Sequence, residues 1–100
     1  TDTKIVHQLE EQFPSYADNF KDWSEQALGG AQQAVWTALA EHNIGASLQH
    51  YNPLIDEAIH QAFDLPETWK LRAEMPFGSI ETPAGEKDYL DDEAVFKLIK

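Results

Sequence analysis

A helix that is apolar or small around most of its circumference runs through this 100-residue chain, and it constrains the fold more than any other feature. It starts near Asp22 or Ser24 and reaches about His42. Asp22 followed by Glu25 has the spacing of a capping box, although the box prefers serine or threonine at its first position. Leu28, Ala31, Val35 and Leu39 recur at three- and four-residue intervals and define one stripe. Ala27, Ala34, Ala38 and Ala40 place small apolar residues on the other sides, with Trp36 among them. Gly29-Gly30 lies inside the segment, at a cost of roughly 1 kcal/mol per glycine against alanine. A helix of this kind is normally enclosed by protein. One hundred residues are enough for one domain and hold little material to enclose it.

The segments around it are short. The first twelve residues carry Ile5, Val6 and Leu9 with glutamates and glutamines opposite, a weakly amphipathic helix that Phe13-Pro14 interrupts. Ser15 or Asp18 caps a further short turn carrying Tyr16, Phe20 and Trp23. After the long helix, Asn43 or Gly45 supplies a left-handed cap, and Ala46 to Tyr51 reads as a short strand or extended loop. Asn52-Pro53 has the form of a helix start, for a helix through Leu54, Ile55, Ala58, Ile59 and Ala62 that Pro66 stops. The clearest strand is Trp69 to Gly78, where Leu71, Ala73 and Met75 alternate with Lys70, Arg72 and Glu74. Pro76 places the end of that strand at an edge or a bulge. Asp91 to Lys100 reads as a last short helix or a strand-like arm. Two strands, expected parallel with a crossover, do not make a stable sheet. With the enclosed helix they imply that other chain material completes the core, either an intimate partner or, as the favoured reading, the rest of a longer polypeptide.

Aspartate and glutamate number 18 against 7 lysines and arginines, a net charge of -11. That balance excludes nucleic acid and anionic membrane surfaces as main partners, since both need a basic face. A hydrophobic fraction of 42% with three tryptophans excludes a disordered acidic tail. No apolar run approaches the ~20 residues of a membrane span, and no signal-peptide pattern stands at the start. Zero cysteines exclude disulfides, thiolate metal sites and a cysteine nucleophile, and fit a cytoplasmic location.

Glu57 and His60 have the Glu-x-x-His spacing of di-iron bundles, but such sites need a second copy and further glutamates, so no metal is expected. Ser47, His50 and Asp56 are close in sequence without the glycine-flanked elbow of a serine nucleophile. Asp91-Asp92-Glu93 reads as a solvated charge run. Gly45-Ala46-Ser47-Leu48 is small enough for backbone amides to approach a flat or phosphorylated ligand, although a helix cap before a strand needs the same residues. Lys70, Arg72 and Lys87 are scarce cations in an acidic chain and each is a candidate for an anion.

Taken in order, several runs resemble one family: Trp23-Ser24-Glu25-Gln26, Ala34 to Glu41, Ile44-Gly45-Ala46-Ser47-Leu48-Gln49-His50-Tyr51-Asn52-Pro53-Leu54-Ile55-Asp56, Pro66 to Arg72, Met75-Pro76-Phe77-Gly78 and Pro83 to Lys87. They resemble the C-terminal half of the nitroreductase-like FMN flavoproteins, in the branch containing the copper-induced nitroreductase of lactic acid bacteria. The resemblance spans nearly the whole chain, so residues 1–100 are expected to be the C-terminal half of one nitroreductase-like domain. It implies an α+β, nitroreductase-like fold, here partial, and an intertwined homodimer with FMN at the subunit interface. It also implies ping-pong hydride transfer from NADH or NADPH to small-molecule acceptors such as nitroaromatics or quinones. By the same resemblance Gly45, Ala46, Ser47 and Leu48 lie beside the flavin ring with their amides toward its N5 and O4 edge. Gln49 and His50 line the pocket, and Lys87 contacts the FMN phosphate. Trp36 and its alanine neighbours match the central helix at the dimer interface. The family's arginine-rich phosphate clamp and asparagine-containing flavin segment belong to a first half this chain lacks. The alternative is a truncated non-enzymatic module for flavin binding or dimerisation.

Overall fold

Asp2 accepts a hydrogen bond from the Lys4 amide at 3.0 Å and caps the first helix, α1 (Thr3–Gln12), a cap that contributes about 1 kcal/mol. In the computed structural model, which covers residues 1–100, α1 is followed by a single 3-10 turn at Pro14–Tyr16 and the long helix α2 (Ala17–Glu41). Then come β1 (Ile44–Ala46), α3 (Asp56–Phe63), β2 (Phe77–Ser79) and α4 (Asp92–Val95). The expected tail is both things at once, a short helix in α4 and extended backbone from Phe96.

Helix α2 begins at Ala17, earlier than the Asp22 or Ser24 start that the capping pattern suggests. Packing decides this. Phe20 and Trp23 meet edge to face at 5.4 Å, Phe13 lies 6.3 Å from Phe20, and Tyr16 lies 6.0 Å from Trp23. This aromatic cluster at the α1–α2 corner holds the first turns of α2 helical, and Asp18 sits where the helix dipole favours a negative charge. At the other end Asn43 takes the left-handed conformation, φ 56°, so Gly45 is freed to enter β1.

The two strands are antiparallel, not parallel as expected, with Ile44 opposite Ser79, Gly45 opposite Gly78 and Ala46 opposite Phe77. The Asn52–Met75 connection contains α3 and reverses the chain instead of carrying it over the sheet. The register continues unbroken past both strands. Ser47 N–H donates to the Pro76 carbonyl at 3.2 Å, and Gln49 and Glu74 exchange both backbone bonds at 2.8 and 2.9 Å. Of the strand expected over Trp69–Gly78, only Phe77–Ser79 is regular, because its two ends pair with different partners. Residues 68–70 bond Thr1 and Thr3, while Glu74 onward bonds β1 and its extension. Alternation survives in that Leu71, Ala73 and Met75 are half-buried and Lys70 and Arg72 exposed; Glu74 breaks it by being half-buried too.

Helix α3 starts at Asp56, one turn after the expected Asn52-Pro53 start. Asn52 is engaged elsewhere, its Nδ2 donating to the Asp56 carboxylate at 2.6 Å, and Tyr51 to Ile55 form turns. His60, on α3, joins the helix to the following segment. Its Nδ1 lies 2.8 Å from the Asp56 carbonyl and its Nε2 lies 2.6 Å from the Trp69 carbonyl. Carbonyls only accept, so both ring nitrogens must carry protons and the imidazolium is favoured. The Asp56 carbonyl, then that of Trp69, raise the His60 pKa above its ordinary 6.5. A raised folded-state pKa gives stability that is complete below the unfolded value and is lost as pH rises through the folded one. In the full-length protein, unfolding free energy is therefore expected to fall above about pH 6.5, and His60→Gln is expected to flatten that slope in denaturant titrations run across pH.

No residue is fully buried. The accessible surface is 8833 Å², against about 5,700 Å² for a folded monomer of this mass. The radius of gyration is 17.9 Å, against about 13 Å for a compact chain of this length. One side of α2 packs on α1 and β1, while the other is bare, with Val35 54% exposed. Between Glu25 and Glu41 that helix carries no charge at all. The last residues extend outward, with Ile99 83% exposed. The expectation that this chain is a partial fold is met.

Candidate functional site

The β1–β2 ladder positions most of the residues expected at the site. Bonding alternates along an antiparallel pair, so Gly45, Ser47 and Gln49 turn their amides to the partner strand. Ala46, Leu48 and His50 turn theirs to the open edge. The Leu48 and His50 amides have no partner within the chain. A row of unpaired N–H groups along one edge is a set of donors for acceptor atoms of a ligand.

Side chains alternate as well. Ser47, Gln49 and Tyr51 share a face and form a relay: the Tyr51 hydroxyl donates to Gln49 Oε1 at 3.3 Å, and Gln49 Nε2 donates to Ser47 Oγ. His50 is exposed and its ring makes no hydrogen bond. Gly45, Ala46 and Ser47 border an open hollow of about 510 Å³ together with Pro76, Phe77 and Gly78. Above Gly45 the space is filled from within the chain, since a Cβ there would lie 3.0 Å from Ile80 Cγ1. Gly78, directly opposite, has nothing near its α-carbon, so the open approach to the hollow is on its side.

Lys87 does not join this group. It borders a second hollow, of about 360 Å³, with Gln33, Trp36, Thr37 and Ala40 of α2. Its ammonium lies 5.6 Å from the centre of the Tyr89 ring. Of the other scarce cations, Arg72 is committed within the chain, its Nε donating to Glu25 Oε2 at 2.8 Å. His60 is committed too, both ring nitrogens being taken by carbonyls, which leaves the Glu57–His60 pair without a free imidazole. No helix is long and apolar enough to cross a membrane.

The nitroreductase family matches residues 3–79. The chain belongs to that family. It is 57% identical to the nitroreductase CinD from Lactococcus lactis, whose structure in complex with nicotinic acid superposes with a TM-score of 0.95 over 99% of this chain and 52% of that one. The CinD complex with 4-nitrophenol matches equally well, at the same identity and TM-score. Among Saccharomyces cerevisiae proteins, HBN1 is 37% identical over 93% of this chain, and the nitroreductase FRM2 is 32% identical over 92%. The chain spans about half the length of these relatives, 47% of each yeast protein. The partial, nitroreductase-like fold accords with the incomplete core.

Two features of the nitroreductase segment escape a reading of the sequence. Ile80 over Gly45 is one. The other is Glu74, whose Oε2 accepts from the Tyr51 amide at 3.2 Å although the two residues are 23 positions apart. Glu74 looks like a member of a polar strand face in the sequence, and only its pairing with Gln49 in the ladder brings Tyr51 beside it.

Proposed function

We propose that this chain is the C-terminal half of an FMN-dependent NAD(P)H oxidoreductase of nitroreductase type that works as a homodimer on nitroaromatic, quinone or similar acceptors. The observation that carries the reading is the open edge of the β1–β2 ladder, where the Leu48 and His50 amides lie free beside the small-residue stretch from Gly45. Bound FMN would supply the redox chemistry, accepting a hydride from NADH or NADPH and passing it on to the acceptor in ping-pong fashion. The chain's part is to bind and tune. Amide donors held rigidly by the ladder would stabilise negative charge developing on a flavin ring, at no reorganisation cost. Ala46 and Ser47 keep the approach low, and Gln49 and His50 line it.

Lys87 is the phosphate contact in this reading. Its place in a separate hollow against α2 suits a cofactor held between two copies of the protein. The CinD complexes with nicotinic acid and 4-nitrophenol support the choice of small aromatic reactants. Lys87→Ala in the full-length protein is expected to weaken FMN binding by about 1–3 kcal/mol, the range for losing a hydrogen bond to a charged group. Fluorescence titration of FMN reads this directly, and an unchanged affinity would remove Lys87 from the site.

A further inference from the structure

Where the β1–β2 ladder ends, a side chain takes over from the backbone. The reciprocal pair at Gln49 and Glu74 is the last in the ladder. In continuing register the next amide, that of Tyr51, would bond the carbonyl of Arg72. The chain instead veers away into the Asn52-Pro53 turn, and the Tyr51 amide donates to Glu74 Oε2. Glu74 therefore holds the stretch from Gln49 to Tyr51 at three points, two through its backbone and one through its carboxylate. Its other oxygen, Oε1, is sealed from solvent and has no donor. Leaving a buried acceptor unpaired is unfavourable, so stability alone does not account for a glutamate here.

We infer that Glu74 is a positioning residue: its carboxylate, by bonding the Tyr51 amide, sets the backbone of Gln49–Tyr51, and with it the free His50 amide, at the place the flavin ring would occupy. The inference rests on the FMN reading above. Leucine at this position removes the acceptor and also relieves the orphaned oxygen. The exposed Tyr51 can then turn its amide to water, so folding stability changes little while the stretch loses its fixed geometry. Glutamine keeps an oxygen where the Tyr51 amide needs one.

The test compares native, Glu74→Leu and Glu74→Gln forms of the full-length protein by FMN titration, thermal melting and hydrogen exchange at the Tyr51 amide. Glu74→Leu is expected to raise the Kd for FMN at least tenfold and to speed exchange at Tyr51, with little change in Tm. Glu74→Gln is expected to stay within threefold of native in Kd and to keep the amide protected. FMN affinity unchanged in Glu74→Leu would overturn the inference, as would equal losses in the two variants. A native protein that takes up no FMN would overturn the functional reading and this inference with it, and that is seen in the native arm alone. If the native protein binds FMN and the variants do not separate, Glu74 alone is at fault.

Discussion

The 100-residue chain on its own is expected to unfold without a cooperative transition. Every part of the fold points this way. No side chain is fully buried, and the chain exposes roughly 3,100 Å² more surface than a monomer of its mass should. At about 25 cal/mol per Å² of apolar area, the burial missing is on the order of tens of kcal/mol, larger than the roughly 5–15 kcal/mol by which ordinary domains are stable. The local structure that remains, a capped α1, an aromatic corner and a two-stranded ladder, is too small to hold α2 in place. Calorimetry should give a broad, featureless trace, and a dye that binds exposed apolar surface should bind strongly. The full-length protein should melt sharply. A sharp two-state transition in the isolated chain would mean that it builds a core by some other packing.

A charge placed on the bare side of α2 is expected to have the second large effect. From Gln26 to Ala40 this helix has no charged residue, in a chain where 25% of residues are charged. Ala27, Ala31, Ala34 and Ala38 are exposed and spaced to form one stripe. Small residues let a neighbouring element approach closely, and in the proposed homodimer this uncharged exposed stripe is a surface that would be covered. In the full-length protein Ala34→Glu would bury an unpaired carboxylate there, at about 3–5 kcal/mol for each copy. The expected result is a shift from dimer to monomer in sedimentation and a fall of more than about a hundredfold in FMN affinity. A variant that stays dimeric and flavin-bound would show that this side of α2 faces solvent.

Much of the fold was legible where periodicity or a strong local signal acted alone. The long helix, the break at Phe13-Pro14, the left-handed residue after the helix and the stop before Pro66 all follow from side-chain pattern and backbone preference. What was not legible depended on contacts distant in sequence. Asp22 and Glu25 look like a helix start, but the stacking of Phe13, Tyr16, Phe20 and Trp23 begins α2 at Ala17. Asn52-Pro53 looks like a cap, but Asn52 is drawn to Asp56. Strand direction is not legible because alternation is blind to it; the register that pairs Ile44 with Ser79 and Ala46 with Phe77 makes the ladder antiparallel.

The site divides in the same way. The small-residue run from Gly45 is visible, and its alternate amides, those of Ala46 and Leu48, face the open edge while those of Gly45 and Ser47 face the partner strand. The reason for glycine at position 45 was not, since Ile80 covers it rather than a flat ligand. Glu74 carries no signal because its partner amide, 23 positions away, becomes its neighbour only through the antiparallel pairing of Gln49 with Glu74. Lys87 was picked out by the scarcity of positive charge and by family resemblance, and it borders α2 rather than the ladder.

The ladder edge from Gly45 to His50 is proposed above to belong to a flavin-dependent oxidoreductase. The most direct test is an anaerobic titration of the purified full-length protein with NADH and then NADPH, followed by 4-nitrophenol or a quinone, watching the visible flavin band. The expected result is a bound flavin that is FMN, bleached by about one equivalent of a nicotinamide donor and recoloured when the acceptor is added, as two separable half-reactions. A protein that is colourless and stays so after incubation with FMN, or a bound flavin that no nicotinamide bleaches, would contradict it.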